Sequence, residues 1–247
     1  MATSFGALCN DFSASAKLSM KMDLPGDRET LLHLMDRIRK TVPAMSSFHP
    51  SESELILESS RQDPEYRWLS LSRRSIHSAF YNPPTMAKAY AFHKMLLEVA
   101  PFHLTISPLD LDTLDMTFRF DFECRGNHDD MVFEALYGDS PLSHLLRIDG
   151  TKILDVQPYF NIAREPGVQA FFEVKTRNRD RRGSSRRYRQ EPISLFMTVR
   201  RFGPVDKIED LQEHLKDLAT RAEALATDRF VPHVLMPISR IITSSNR

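Results

Sequence analysis

The sequence predicts an α+β protein: two tandem β-α-β-β-β-α repeats, related by a pseudo-twofold, forming antiparallel sheet covered by helices on one face. Two observations carry this. Two strongly alternating segments, 17–24 and 114–124, match position by position at an offset of about 98 residues, Leu18 with Met116, Lys21 with Arg119 and Leu24 with Phe122. Each is then followed by the same order of elements: a helix, several strands and a closing helix. The implied boundaries are a tail at 1–16, a first repeat at 17–112, a second at 113–242 with an Arg-rich hairpin at 175–190, and a tail at 243–247.

In the first repeat, Leu18, Met20, Met22 and Leu24 alternate with polar residues, the period of a half-buried strand. Pro25 and Gly26 stop it. Leu31, Leu34, Met35, Ile38 and Val42 then recur at three and four residues, with Asp27 placed to cap the first turn of a helix. After a Ser/Pro-containing loop, short strands are read at 54–59, 66–73 and 75–81, the last two joined through Arg73-Arg74, which is not turn chemistry and also allows one long bent strand. Asn82-Pro83-Pro84 ends them, and residues 85–99 form a helix with Met86, Ala89, Tyr90, His93 and Leu97 inward and Pro101 as its stop.

The second repeat opens on the clearest strand of the chain, where Met116, Phe118, Phe120 and Phe122 face one way and Asp115, Thr117, Arg119, Asp121 and Glu123 the other. A Gly126-Asn127 turn leads to a helix at 128–137 with Gly138 past its end. Strand-like runs follow at 152–163, 168–176 and 193–201, then a long helix at 207–226 with Leu211, Leu215, Leu218, Ala222 and Leu225 on one face. The final apolar run, 231–242, is interrupted by Pro232 and Pro237 and reads as an edge strand or an extended tail. In layout the chain resembles the duplicated saddle of the TATA-binding-protein-like fold and, more loosely, a helix-grip arrangement in which a curved sheet holds a long C-terminal helix. The resemblance rests on no motif and implies no activity.

Composition excludes several classes. The 247 residues include 33 basic and 33 acidic side chains, so the net charge is zero and no whole-molecule attraction steers the chain to nucleic acid or anionic lipid. No stretch reaches the roughly 18 to 20 apolar residues that span a bilayer, so no membrane partner is expected. The N-terminus lacks the pattern of a secretory signal, and Cys9 and Cys124 are expected as free thiols in a cytoplasmic protein.

Motifs for dinucleotide, P-loop, zinc-protease or serine-hydrolase chemistry are absent, and no cofactor or metal is expected. Asn127-His128-Asp129-Asp130 offers an imidazole and carboxylates, but at a helix start these residue types serve first as caps. The row Asp115, Arg119, Asp121 and Glu123 is foremost a solvated sheet face with Lys21 as its cross-strand partner, and otherwise a set of acid–base groups. Trp68 and the phenylalanines Phe118, Phe120, Phe122, Phe160, Phe171, Phe172 and Phe196 read as core, except that Phe171 and Phe172 must point to opposite faces, which puts Phe171, with Phe196, on the helix-free side.

The strongest local feature is the segment 175–189. Its eight basic residues and one acid include Lys175, Arg177, Arg179, Arg181, Arg182, Arg186, Arg187 and Arg189, with Tyr188 among them, and Arg200 and Arg201 follow in the next strand. Arginine suits bidentate contact with phosphate or carboxylate groups, and Tyr188 could stack on a base. The expected function is therefore a non-enzymatic binding protein that engages an anionic partner, a nucleic acid or an acidic protein surface, through this hairpin. The first alternative is a small-molecule-binding or hydrolytic domain with a cavity between the curved sheet and the long C-terminal helix, its polar groups being His77, Arg119, Asp121 and Glu123. The second is a structural subunit of a homo-oligomer.

Overall fold

A computed structural model describes residues 5–51, 53–150, 153–176 and 191–245. Its strands are β1 (Asp11–Met20), β2 (Ser47–Ser51), β3 (Glu54–Glu58), β4 (Arg67–Ser72), β5 (Ser75–Tyr81), β6 (Leu111–Phe122), β7 (Tyr159–Glu165), β8 (Val168–Lys175) and β9 (Ile193–Phe202). They form one sheet in the order β2-β3-β4-β5-β1-β6-β9-β8-β7, every neighbouring pair antiparallel. The fold class is thus α+β, with a large antiparallel sheet on which helices pack. The strands before residue 82 occupy one side of the β1/β6 centre and those after residue 111 the other. In each group the first strand pairs with the last, β1 with β5 and β6 with β9.

Alternation decides which face is buried. Phe12, Ala14, Ala16, Leu18 and Met20 of β1 and Leu114, Met116, Phe118, Phe120 and Phe122 of β6 are all buried, and Phe12 and Phe5 pack with Phe118 and Phe120 at ring separations of 5.1–6.0 Å. Strand β1 begins six residues before the predicted start, because Phe12, Ala14 and Ala16 already alternate, while Met22 lies beyond it and is exposed. Onto this face pack α2 (Met86–His103) and α5 (Leu211–Leu225), while α1 (Arg28–Thr41) lies against α2. The predicted caps are in place at Asp27, whose carboxylate accepts from Thr30 N–H at 2.9 Å, and at Asn127, which opens α3 (His128–Tyr137); Thr85, read as helical, is instead the cap of α2 and accepts from Lys88 N–H. The Asn127-His128-Asp129-Asp130 cluster is spent on this corner. Asn127 accepts from Asp129 N–H, and the buried Asp129 carboxylate accepts from the Thr176 hydroxyl and from Val156 N–H.

Several expectations are corrected. Residues 47–51 form an edge strand and α4 (Leu142–Leu146) a short helix, where loop was expected. Of the two readings at Arg73-Arg74, two strands or one bent strand, the structure has two strands joined by a tight turn, with both guanidinium groups on the Asp23 carboxylate at 2.7 and 2.6 Å. Pro101 lies inside α2 rather than ending it. The largest error is at the C-terminus. Residues 226–235 form a wide-turned helix and 236–245 continue it as α6, with Phe230, Leu235, Ile238 and Ile242 buried. Proline stops an α-helix by removing a donor and crowding the carbonyl four residues back; a wider turn relieves that crowding at Pro232, and Pro237 sits in the first turn of α6, where its missing N–H costs little.

Cys9 and Cys124 are free thiols, and burial pushes them up to about 12 and about 11. Among the described residues no helix is long and apolar enough to cross a membrane.

Candidate functional site

Residues of opposite parity emerge on the sheet face away from the helices. Across the centre of that face they are small and polar: Ser13 and Ser15 of β1, Thr117 of β6 and Thr198 of β9, the two threonine hydroxyls bonded to each other at 2.8 Å. Toward β3–β5 the side chains are larger and enclose a cleft of about 920 Å³, lined by Glu54, Ile56 and Glu58 of β3, Trp68 and Ser70 of β4, Tyr81 of β5, Arg119 of β6, and Arg61, Asp63 and Tyr66 from the β3–β4 connection.

The wall of the cleft is held by specific contacts. Glu58, 8% exposed, accepts from the Tyr66 hydroxyl, and Arg61 Nε lies 3.7 Å from the same carboxylate oxygen. Burial and the adjacent Glu58 carboxylate push the Tyr66 phenol far up, so it remains a donor. The Tyr66 and Tyr81 rings are 5.4 Å apart, and Trp68 meets His77 edge to face at 4.7 Å. Burial, with the Lys17 ammonium nearby, pulls His77 down to about 4, so the imidazole is neutral at pH 7.

Across β6, β9 and β8 the charges on this face are matched. Arg119 reaches Asp121 at 2.9 Å, Tyr81 Oη at 3.3 Å and Ser194 Oγ at 3.4 Å, and the Ser194 hydroxyl donates to Asp121 at 2.6 Å. Arg200 binds Asp115 through two bonds of 2.7 and 2.6 Å and lies over the Phe171 ring at 4.9 Å. Phe171 and Phe196 are on the helix-free face as expected. Trp68 is there too, not in the core, and Phe160 is largely exposed on the other side of β7.

Of the residues singled out in the sequence, Arg119 lines the cleft and holds Asp121 beside it. His77 reaches the cleft only through Trp68, and Glu123 lies past the end of β6, its backbone N–H bonded to Asn10. The cross-strand partner of Asp115 on β1 is Lys17; Lys21 instead donates to the Leu109 carbonyl. Lys175 pairs with Glu173 at 3.1 Å and lies over the Phe196 ring at 5.1 Å. Arg177, Arg179, Arg181, Arg182, Arg186, Arg187, Tyr188 and Arg189 lie outside the described residues.

The cavity expected between the sheet and the long C-terminal helix is replaced by this cleft on the opposite face. The sheet side of α5 is filled: Leu215, Leu218 and Ala222 are buried, and Phe230 stacks on Phe172 at 5.7 Å and meets Phe120 at 5.9 Å. A smaller hollow of about 510 Å³ lies between α2 and α5, where Tyr90 donates to Glu223 at 2.7 Å. Sequence reasoning missed Glu58, Tyr66 and Tyr81. A signal existed: Tyr66 and Trp68 share the parity opposite to Leu69 and Leu71, so two aromatic rings stand on the face that a half-buried strand reserves for polar residues.

No family model matches the chain, and no curated protein matches it. Two solved structures align along nearly its whole length. The di-domain ARO/CYC BexL from the BE-7585A biosynthetic pathway is 8% identical over 93% of this chain and 98% of that one, with a TM-score of 0.20. The di-domain ARO/CYC StfQ from the steffimycin biosynthetic pathway is 10% identical over 95% and 99%, also at 0.20. A likeness at that TM-score carries no argument about function.

Proposed function

We propose that the protein is a non-enzymatic binding protein that takes a small, flat, polar molecule in the cleft on the helix-free sheet face. The observation that carries this is the cleft itself: about 920 Å³, walled by Tyr66, Trp68 and Tyr81 and supplied with charged groups at its rim. That volume and that mixture of aromatic surface with a few convergent polar groups suit a ligand of metabolite size. Binding is favoured over turnover because the buried carboxylates at the cleft are already engaged, Glu58 in its wall by Tyr66 and Arg61 and Asp121 just outside its lining by Arg119 and Ser194. A general base needs a lone pair free for the substrate proton.

The test is a ligand-observed magnetic-resonance screen of a metabolite collection that contains cationic, neutral and anionic members, each hit remeasured by calorimetry. Hits are expected to lose about five- to thirtyfold in affinity in Trp68→Ala, an aromatic contact worth about 1 to 2 kcal/mol, and to be unaffected by Phe102→Ala on the opposite side of the molecule. A screen with no hit that depends on Trp68 would sink the reading.

A second reading concerns the basic segment at 175–190, whose eight cationic side chains and one acid stand out in a chain of zero net charge. We propose it as a site for an anionic partner, nucleic acid or an acidic protein surface. Binding of single- and double-stranded nucleic acid is then expected to fall steeply with salt and to weaken when Arg181, Arg182, Arg186 and Arg187 are neutralised. No binding at low salt, or binding indifferent to those changes, removes this reading.

A further inference from the structure

The make-up of the cleft says which charge its ligand carries. Tyr66 and Tyr81 stand opposite each other across two strands, Tyr81 N–H donating to the Tyr66 carbonyl at 2.8 Å. Trp68, two residues on from Tyr66, projects from the same face about 6.5–7 Å further along the strand. Its cross-strand partners are the buried Ala79 on β5 and Glu58 on β3, so the indole and the Glu58 side chain are direct neighbours. Four carboxylates, Asp11, Glu54, Glu58 and Asp63, line the same space against two guanidinium groups, Arg61 and Arg119. The Arg119 charge is matched by Asp121 outside the lining, and Glu54 has no ion-pair partner among the described residues. The space therefore carries an excess of negative charge, and an aromatic ring that meets a ligand with its face presents the negative side of its quadrupole. Both properties favour a cation and repel an anion.

We infer that the cleft selects an organic cation, an alkylated ammonium group carried on a small body, which the Trp68 ring contacts over Ile56 and Ser70 while the carboxylates of Glu54 and Glu58, two residues to either side of Ile56 on β3, supply the countercharge. The inference rests on the cleft being the binding site. An aromatic wall is well suited to such a diffuse cation, because cation–π attraction loses little to desolvation when the charge is spread over methyl groups. Since the Glu58 carboxylate already accepts from Tyr66, the unpaired Glu54 is the acid with most to gain from a bound ammonium.

Three probes of one shape and different charge test this: choline, its neutral carbon isostere 3,3-dimethylbutan-1-ol, and the anion 3,3-dimethylbutanoate. Trp68 is the single tryptophan of the chain, so its emission reports on the cleft directly. Choline is expected to change that emission saturably and to bind about tenfold or more tightly than either isostere. Its affinity is expected to fall severalfold in Glu54→Gln, where Trp68 still reports, and with added salt. If the neutral or anionic isostere binds as tightly as choline, the inference fails while the cleft remains the binding site. If none of the three binds, the inference fails as well, and the metabolite screen alone then decides the site.

Discussion

Replacing Phe120 with alanine is expected to lower the free energy of unfolding by about 3–5 kcal/mol, the range for deleting a large aromatic ring from a packed core. Phe120 has no exposed surface and sits where three parts of the chain meet: Phe5 before β1, Phe12 on β1 and Phe230 in the C-terminal helix, all with ring centroids within 6.0 Å. The sheet and the helical layer cannot both close on the space an alanine leaves, so little of the cavity is recovered. Phe196→Ala, on the helix-free face, is expected to cost less than about 1.5 kcal/mol, since that ring loses cation–π contact with Arg119 and Lys175 but opens no cavity between layers. Urea denaturation at pH 7.5 checks both; equal losses would mean that the helix-free face is also core.

Stability is expected to fall as the pH drops below about 6.5, chiefly through His93. This histidine of α2 is completely buried, its Nε2 lying 3.1 Å from the Ala14 carbonyl and its Nδ1 2.8 Å from the Ser78 hydroxyl. Only a proton on Nε2 satisfies the carbonyl, which leaves Nδ1 to accept from Ser78 in the neutral ring. Burial holds the imidazole down to about 3, against about 6.5 in an unfolded chain. Between those limits the unfolded chain binds more protons than the folded one, so the stability present above pH 6.5 is lost at about 1.4 kcal/mol per pH unit on acidification. His77 acts in the same direction, with its lower limit near 4. From pH 6.5 to pH 5 the loss from His93 alone is about 2 kcal/mol. His93→Gln, which keeps a donor and an acceptor, is expected to be less stable than the wild type at pH 7.5 and to show a flatter decline across that window. An identical slope in both proteins would contradict the assignment.

Much of the architecture was legible because burial writes a period into the sequence. The β6 alternation, the helix stripes and the caps at Asp27 and Asn127 are local signals, and each appears where it was read. The C-terminal helix was missed because Pro232 and Pro237 are decisive for an ordinary α-helix and much less so for a wide turn followed by a new first turn. The site was only partly legible. Arg119 and Asp121 share a strand, so their proximity is local, but the cleft needs Glu58, Tyr66, Trp68 and Tyr81 from three strands and a connection. Which strands neighbour one another depends on the sheet order, and no periodicity encodes that. The basic segment drew attention because charge runs are visible in one dimension, whereas the shared parity of Tyr66 and Trp68 is a fainter signal and Tyr81 joins them only when β4 and β5 are laid side by side.

The most direct test of the cleft as the binding site is a nitrogen–proton correlation spectrum recorded while the tightest hit of the metabolite screen is titrated in. With one tryptophan in the chain there is one indole N–H signal, and it belongs to Trp68. The cleft assignment predicts that this signal and the Tyr81 amide move saturably together, while the amides of Leu215 and Ala219 in the hollow between α2 and α5 stay in place. Movement of the helix amides with a stationary indole signal would contradict it.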